Sequence, residues 1–384
     1  MKYVLVILEG AAGRACAELE GMSPLEVARC PTVSALAREG GSGWLDWEDL
    51  DVPLTAESGL GLLLGLPEGD VRLIRRGPVE AAVVEGMRGA AFVYRVNFVT
   101  VTDGVVQDNR VANLNEQETI ALCERLNERF GEEGVRFAPL GPGRAVAATD
   151  RLPDHPDEGE CPRVGMRFPE TGGSRVHWMK AAGEVLESDA INEVRVDLGE
   201  NPANRIWLWG GGVPSPVRRA FLGAPLRARM VSNHPLGEGL AQLCGMEHER
   251  LGDLWMHVSK PLVPDRDRWR SFLADRELLV VSIEAPLEGS GYGTPLDHGR
   301  CLDRIDIHVL RPLLEAVRTM SDPVRGMIVC APGDRELDAD AYPALLWGSG
   351  AGRDRLTEWD EKTCRGGGLG AIQPTRVIAR LLGD

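Results

Sequence analysis

The chain of 384 residues lacks the sequence features of disulfide-rich, zinc-binding, membrane-spanning and secreted proteins. None of its eight cysteines forms a CxxC pair, and their scatter fits buried thiols in a reducing compartment better than a disulfide framework or a zinc site. No apolar run reaches ~18 residues, so we expect no membrane span. The N-terminal MKYVLVILEG is too short in its apolar part for a signal peptide and fits a first core strand. The cytoplasm is the expected location.

Positive charge is also in deficit. Asp and Glu number 58 against 43 Lys and Arg, which gives a formal net charge of -15. Nucleic acid and anionic membrane surfaces both require a basic footprint, so neither is expected as a partner. A small anionic ligand stays compatible with this balance, because it needs only a few well-placed arginines. A protein partner or a homo-oligomer is left open.

Strands and helices alternate towards both ends of the chain. Tyr3–Leu8 and Leu278–Ile283 are continuous apolar runs, typical of strands covered on both faces. A helix start follows the first run, since Ser23 can cap, Pro24 suits the first turn and Glu26 completes a capping box. The alternation predicts an α/β core with a mostly parallel sheet and helices on both faces.

The middle of the chain has a different composition. Residues 115–130 form an amphipathic pattern with a helical period, and residues 149–163 are rich in Pro, Asp and Glu and predict a loop. Few buried strands are evident there. We therefore predict a smaller α+β domain at 111–190, inserted into a discontinuous core made of residues 1–110 and 191–384.

The stretch DVPLTAESGLGLLLGL at 51–66 is a candidate site for a nucleophile. Thr55, Glu57 and Ser58 precede an apolar helical segment. A hydroxyl at the N-terminus of a buried helix is a common way to hold a nucleophile, because free backbone N–H groups there favour a developing anion. The alternative interpretation is a solvated turn before a core helix.

Two further stretches carry polar groups of interest. Arg75 and Arg76 precede Gly-Pro and form either an anion clamp or a solvated basic turn. Arg95 and Asn97 lie two residues apart on the apolar strand AFVYRVNFVTV, so they share one of its faces. Polar groups on such a strand need partners, which makes this face a candidate pocket.

These segments, in this order, resemble the archaeal-type cofactor-independent phosphoglycerate mutases of the alkaline phosphatase superfamily. The resemblance covers nearly the whole chain. Its matching stretches are MSPLEVARCPTVSALAREGGSG (22–43), RRGPVEAA (75–82), VYRVNFVTVTDGVV (93–106), NPANRIWLWGGG (201–212) and WDEKTCRGGGLGAI (359–372).

The resemblance implies an alkaline-phosphatase-like core with an inserted second domain. It also implies transfer of a phosphoryl group between the 2- and 3-positions of glycerate through a phosphoserine, with two divalent metal ions, typically manganese, that screen phosphate charge and activate the serine. The family's serine falls on Ala56, with Thr55 and Ser58 as the neighbouring hydroxyls.

The expected metal ligands are mostly replaced. The first-strand aspartate falls on Glu9, the central Asp-Glu-Ala-Gly-His motif on residues 287–291, an Asp-His pair on Pro332-Gly333, and the last histidine near Leu337. Hard divalent cations need several oxygen or imidazole ligands. We therefore expect no cofactor and no metal, with vestigial ligands at Glu9, Glu284 and Asp334. Asp297 and His298 are spare polar groups nearby.

The residues that face substrate are better kept. The resemblance implies that Arg76 and Arg95 face the substrate's phosphate or carboxylate, that Asn97 follows on the same strand face, and that His155 matches a histidine of the inserted domain. The family's aspartate after that histidine is Pro156 here.

Three hypotheses follow from the sequence. In the first, the chain is a non-catalytic homologue that binds a small phosphorylated metabolite through Arg76 and Arg95, or acts through a partner. In the second, it is an active mutase or related phosphotransferase with Thr55 or Ser58 as nucleophile and a rearranged Mn or Zn site. The third, a nucleotide-binding Rossmann enzyme, rests only on Gly-rich snippets such as GSGAGR and lacks the strand-turn-helix context with a downstream acid.

Overall fold

The computed structural model describes residues 1–48, 50–87, 89–111, 113–214, 225–252, 263–284, 294–333 and 339–384. The chain divides into two compact units. The first unit comprises Met1–Arg72 and Val217–Asp384, and the second comprises Leu73–Pro216. None of the helices in the described ranges is long and apolar enough to cross a membrane.

The first unit is built on a sheet with eight described strands. They are β1 Lys2–Glu9, β2 Gly41–Leu45, β8 Ala228–Ser232, β9 Glu247–Arg250, β10 Leu278–Ile283, β11 Val324–Ala331, β12 Tyr342–Gly348 and β13 Gly370–Ile372. Their order across the sheet is β13-β2-β12-β11-β1-β10-β8-β9. Strands β11, β1, β10, β8 and β9 are parallel neighbours, and β12 pairs antiparallel with both β11 and β2.

The central strands explain the apolar runs in the sequence. Every residue of β10 is buried, as are the last six residues of β1. Such strands lose contact with water on both faces, which happens in a parallel sheet when helices cover both sides. The predicted α/β class with a mostly parallel sheet and helices on both faces is therefore confirmed.

The helices of the first unit follow the capping signals of the sequence. Ser23 and Glu26 form the expected capping box, and a second box joins Thr294 to Asp297. The helices are α1 Pro24–Val27, α2 Pro31–Glu39, α3 Ala56–Leu63, α4 Glu68–Val71, α9 Pro235–Leu243, α10 Arg266–Ala274, α11 Pro295–Ile305, α12 Arg311–Arg318 and α13 Val377–Leu382. A π-helical turn, Asp306–Leu310, joins α11 to α12.

The second unit is an antiparallel sheet with helices. Its strands are β3 Phe92–Thr102, β4 Val105–Asp108, β5 Val135–Gly141, β6 Arg144–Thr149 and β7 Arg205–Gly212, and its helices are α5 Arg76–Ala81, α6 Glu116–Phe130, α7 Ser174–Leu186 and α8 Ala190–Asp197. Strand β3 pairs with β4, β6 and β7. The core is aromatic, with Tyr94, Phe98 and Phe130 fully buried.

The second unit is wider than the domain predicted at 111–190. The predicted boundary between residues 110 and 111 places β3 in the core, yet six of its residues pair with β6 and six with β7. A strand paired on both sides inside the second unit cannot belong to the sheet of the first. The β5–β6 hairpin was not predicted, since Pro139 and Gly141 interrupt the alternation of its first strand.

Candidate functional site

The first group of interest lies at the carboxyl end of β1. Glu9 is fully buried, and its Oε1 atom accepts hydrogen bonds from the hydroxyl of Ser282 and from Nε2 of His234, the latter at 2.9 Å. The neighbouring strand β10 supplies Ser282, and the residue before α9 supplies His234. The Oε2 atom of Glu9 has no hydrogen-bond partner in the described part of the chain.

His234 also caps a helix. Its Nδ1 atom accepts from the backbone N–H of Gly237 in the first turn of α9, at 3.4 Å. Because Nδ1 acts as an acceptor, the hydrogen bonds assign the ring proton to Nε2, which then donates to Glu9. The imidazole is therefore held by backbone on one side and by a carboxylate on the other.

A second buried imidazole lies on α11. His298 is 3% exposed, and its Nε2 atom has no hydrogen-bond partner within the described residues. Burial lowers the pKa of His298 to about 4, although a hydrogen bond to the backbone of Gly10 opposes that shift. The ring is consequently neutral at physiological pH.

The hydroxyls of the 55–58 loop serve the helix that follows them. Thr55 is the N-cap of α3, and its hydroxyl accepts from the backbone N–H of Ser58. The Ser58 hydroxyl accepts from the backbone N–H of Thr55 at 2.8 Å and donates to the carbonyl of Pro53. Ser58 is 4% exposed, and the methyl group of Ala56 occupies the first position of the helix. Both predicted nucleophiles therefore form a capping box.

The second group of interest is a buried arginine cluster in the second unit. Arg76 donates from Nε to Oε1 of Glu80 at 2.6 Å, and Nε of Arg95 lies 2.9 Å from Oε2 of the same carboxylate. All three side chains are at most 5% exposed. Arg95 also donates to the carbonyl of Ala145. The structure thus brings Arg76 and Arg95 together through an acid that the sequence does not single out, and their predicted role in facing a substrate stays a prediction.

Three further arginines act electrostatically on Arg95. Desolvation lowers the pKa of Arg95 to about 10, and the nearby Arg144, Arg76 and Arg110 act in the same direction, whereas Glu80 opposes them. Arg95 remains a cation at neutral pH. Arg110 and Arg144 are partly exposed, so the cluster extends from the interior to the surface of the unit.

Asn97 joins the same cluster through an indole. Its Oδ1 atom accepts from Nε1 of Trp209 at 3.1 Å, and its amide donates to the carbonyl of Asn109. The guanidinium carbon of Arg76 lies 6.0 Å from the centre of the Trp209 ring. Trp209 therefore connects the face shared by Arg95 and Asn97 with the helix that carries Arg76.

His155 occupies a different place. It is exposed, adopts a left-handed backbone conformation with φ 54°, and lies close to Gly173 before α7. No hydrogen bond or ion pair joins it to Arg76 or Arg95 among the described residues. Its predicted role in binding stays a prediction.

Four residues of these groups were missed in the sequence: Glu80, Trp209, His234 and Ser282. Glu80 stands four residues after Arg76, a spacing that suits a helical ion pair, so this signal was available. Ser282 and His234 carry no such signal, because they meet Glu9 only when β1, β10 and β8 are neighbours in the sheet.

Comparison with known sequences gives concordant results. The sequence model described as 2,3-bisphosphoglycerate-independent phosphoglycerate mutase matches residues 37–157. The protein named 2,3-bisphosphoglycerate-independent phosphoglycerate mutase 2 of Methanothermobacter thermautotrophicus is 27% identical, over 98% of this chain and 96% of its own length. The phosphoglycerate mutase of Methanothrix thermoacetophila is 25% identical over the full length of both chains.

Solved structures share the fold. A protein from Pyrococcus horikoshii superimposes with a TM-score of 0.70 and 20% identity, over 99% of this chain and 96% of that one. The cofactor-independent phosphoglycerate mutase from Thermoplasma acidophilum gives a TM-score of 0.55 and 19% identity, over 100% and 99%. At these identities the likeness establishes the architecture.

The comparisons correct one prediction. We expected no cofactor, but the proteins that this chain resembles over its whole length belong to a family whose members use divalent metal ions, so that expectation was wrong. Glu9 offers one buried oxygen that fits a cation. The described residues as a whole do not fit the two ions, since they contain no group of three or more His, Cys, Asp or Glu side chains placed to hold a metal.

Of the other positions predicted to correspond to metal ligands, Glu284 is described by the structure and several others are not. Glu284 follows β10, is 4% exposed, and its backbone N–H donates to the side chain of Asn233. Asp334, residues 287–291 and Leu337 lie outside the described residues.

Proposed function

We propose that the chain, which resembles 2,3-bisphosphoglycerate-independent phosphoglycerate mutases over its full length, is a member of that family and binds a small phosphorylated metabolite at the Arg76–Arg95 cluster. We propose further that residues 55–58 do not carry a phosphoryl group. The observation behind both statements is a contrast. Arg76 and Arg95 share a buried carboxylate in one unit and Arg110 and Arg144 act on Arg95, while the hydroxyls expected to react are used as a helix cap in the other.

The arginine cluster supports binding of an anion for an electrostatic reason. Glu80 neutralises one positive charge, while Arg76, Arg110 and Arg144 all act on Arg95 unfavourably. A phosphate dianion placed against the outer arginines would lower this repulsion. Guanidinium groups also match phosphate oxygens with two parallel hydrogen bonds, and such bonds strengthen away from water.

The geometry of the 55–58 loop argues against phosphoryl transfer. A nucleophilic hydroxyl must be able to turn towards phosphorus and lose its proton as it attacks. The Ser58 hydroxyl donates to a backbone carbonyl, and the Thr55 hydroxyl accepts from the first turn of α3. Reaction at either residue would require the start of α3 to rearrange, and Ala56 offers no oxygen.

Binding can be measured by calorimetry with 3-phosphoglycerate, with glycerate as the ligand that lacks the phosphate. We expect 3-phosphoglycerate to bind and glycerate to bind at least tenfold more weakly. Arg95→Lys keeps the charge but loses the planar fork, and should weaken binding by about tenfold. Arg129→Lys changes an exposed arginine of the same unit and is the matched control. Equal affinity in all three proteins would contradict binding at the cluster.

Transfer can be tested separately by a mutase assay on metal-stripped protein reloaded with manganese. We expect no conversion of 3- to 2-phosphoglycerate above a blank without protein. Robust conversion would reject the proposed lack of transfer and leave the binding proposal intact.

An active mutase is the second candidate, because the chain aligns over its full length with proteins named phosphoglycerate mutases. That function requires a phosphorylated peptide from residues 51–66 after incubation with substrate. Mass spectrometry of the digested protein decides between the two candidates. Phosphate on Thr55 or Ser58 would establish the second.

A further inference from the structure

Strand β7 ends in three consecutive glycines at 210–212, and two of them lie against the start of α5. A Cβ atom on Gly210 would lie 2.7 Å from Cβ of Arg76, and one on Gly212 would lie 2.7 Å from Cγ of Arg75. Cβ atoms essentially never come within 3.0 Å of another heavy atom. Any larger residue at either position would therefore push the start of α5 away from β7.

A third glycine makes the same kind of contact from the side of the helix. Gly77 lies in the first turn of α5, and a Cβ atom there would lie 2.6 Å from the carbonyl oxygen of Val93 and 2.8 Å from the backbone nitrogen of Arg95 on β3. Strand β3 is paired with β6 and β7, so its backbone cannot move aside. Helix α5 thus lies unusually close to both strands, through a glycine contact defined by Gly77, Gly210 and Gly212.

The closeness of α5 to the strands decides whether Glu80 can reach Arg95. Glu80 and Arg76 lie on the same helix and are joined at 2.6 Å, whereas Oε2 of Glu80 must cross to β3 to lie 2.9 Å from Nε of Arg95. A shift of α5 by about 1 Å would take this second pair beyond hydrogen-bonding distance. The pair within the helix would survive the shift. The spacing of the two arginines is therefore set by the depth of α5.

We propose that Gly77, Gly210 and Gly212 are positioning residues of the arginine cluster. They act through the arginines: because they lack a side chain, α5 lies at the depth where Glu80 joins Arg76 to Arg95. The inference deepens the proposed function and rests on it for the identity of the ligand. The depth of the helix depends only on contacts within the second unit, so it can be tested without a ligand.

Gly212→Ala is the most direct test variant. Gly210 adopts φ 56°, so alanine there would add backbone strain, whereas the φ of Gly212 lies outside the left-handed region. A Cβ atom on Gly212 would also lie 2.9 Å from Cβ of Arg75, an atom that no rotation of the arginine side chain can move. The substitution therefore acts on the position of α5 and on little else.

The first experiment is a double-mutant cycle that needs no ligand. Glu80→Gln is made in the unchanged chain and in Gly212→Ala, and urea denaturation measures the stability that it removes from each. If the new methyl group lifts α5, Glu80 has already lost Arg95, and Glu80→Gln should cost at most half as much in the Gly212→Ala chain. Equal costs in the two chains would show that the effects are independent and would overturn the proposal.

A rescue variant and a matched control complete the cycle. Arg75→Gly removes both atoms that the new methyl group meets, so R75G/G212A should restore the full cost of Glu80→Gln, and it should fold even if Gly212→Ala alone does not. Gly86 lies in the same unit with no heavy atom within 4 Å of a Cβ atom, so Gly86→Ala should leave the cost unchanged. Circular dichroism checks folding. Failure of R75G/G212A to restore the cost would contradict the proposal.

The second experiment measures the affinity for 3-phosphoglycerate by calorimetry. We expect Gly212→Ala to bind at least fivefold more weakly than the unchanged chain, Gly86→Ala to bind equally well, and R75G/G212A to bind within twofold of Arg75→Gly. Full affinity in a folded Gly212→Ala chain would overturn the proposal. If the unchanged chain does not bind 3-phosphoglycerate, the proposed function fails, and the double-mutant cycle decides the role of the glycines by itself.

Discussion

The two units bury carboxylates in opposite ways. In the first unit Glu9 is held by a serine hydroxyl and an imidazole, and Glu361 accepts from the backbone N–H of Gly13 and the hydroxyl of Ser23. In the second unit Glu80 is held by the guanidinium groups of Arg76 and Arg95. Glu361 thus meets neutral donors, whereas Glu80 meets two full positive charges.

The difference determines which charge each site still attracts. Neutral donors compensate the loss of hydration only in part, and burial accordingly raises the pKa of Glu361 to about 7. Two guanidinium groups overcompensate Glu80, and further arginines around Arg95 add to the positive charge. The first unit therefore holds an acid, Glu361, that favours its protonated form, and the second holds an acid that pairs with two guanidinium groups.

The largest effect is expected from removing Glu80. Glu80→Leu leaves Arg76 and Arg95 buried without their shared counter-charge, and breaking a buried pair in this way costs about 3–5 kcal/mol. Urea denaturation monitored by circular dichroism measures the loss. Glu133→Leu removes the partner of the exposed Arg129 and should cost less than about 1 kcal/mol. Similar losses of unfolding free energy in both variants would show that the buried ion pairs of Glu80 contribute no more to stability than the exposed pair of Glu133.

The second effect depends on pH and tests the acids of the first unit. The pKa of Glu361 is raised from 4.5 to about 7 in the folded chain, so the folded state binds the proton more tightly than the unfolded state does. Its contribution to stability is complete below pH 4.5 and is lost as the pH rises through 7. The loss is on the order of 3 kcal/mol.

Denaturation at pH 5 and pH 8 measures this contribution, and Glu361→Gln provides the comparison. The glutamine keeps an acceptor for Gly13 but cannot titrate, so the variant should lose less stability than the unchanged chain between these two pH values. Parallel profiles for the two proteins would contradict the prediction.

The smallest effect is expected at the 55–58 loop. Thr55→Ala removes the cap of α3 and should destabilise the chain by about 1 kcal/mol. Because Thr55 acts here through the helix alone, affinity for 3-phosphoglycerate should not change. Thermal unfolding together with calorimetry checks both statements, and a variant with full stability but weakened binding would assign the loop a role in the ligand site.

Local signals predicted most elements well. The capping box at Ser23 and the helix over residues 115–130 are both predicted correctly, because each depends on short spacings in the chain. The strands β1 and β10 were found because full burial leaves a continuous apolar run. The hairpin β5–β6 was missed, and β3 was assigned to the wrong side of the domain boundary, because strand pairing joins residues that are distant in sequence.

The sequence by itself determined the α/β class, the family resemblance, the placement of Arg95 and Asn97 on one strand face, and the absence of a hydroxyl at Ala56, since each depends on residue identity or short spacing. Only the tertiary structure decided that Glu80 joins Arg76 to Arg95, that Ser282 and His234 meet on Glu9, and that glycines bring α5 close to β3 and β7. These arrangements arise when sheets and helices assemble, because burial selects partners by distance in space and not along the chain.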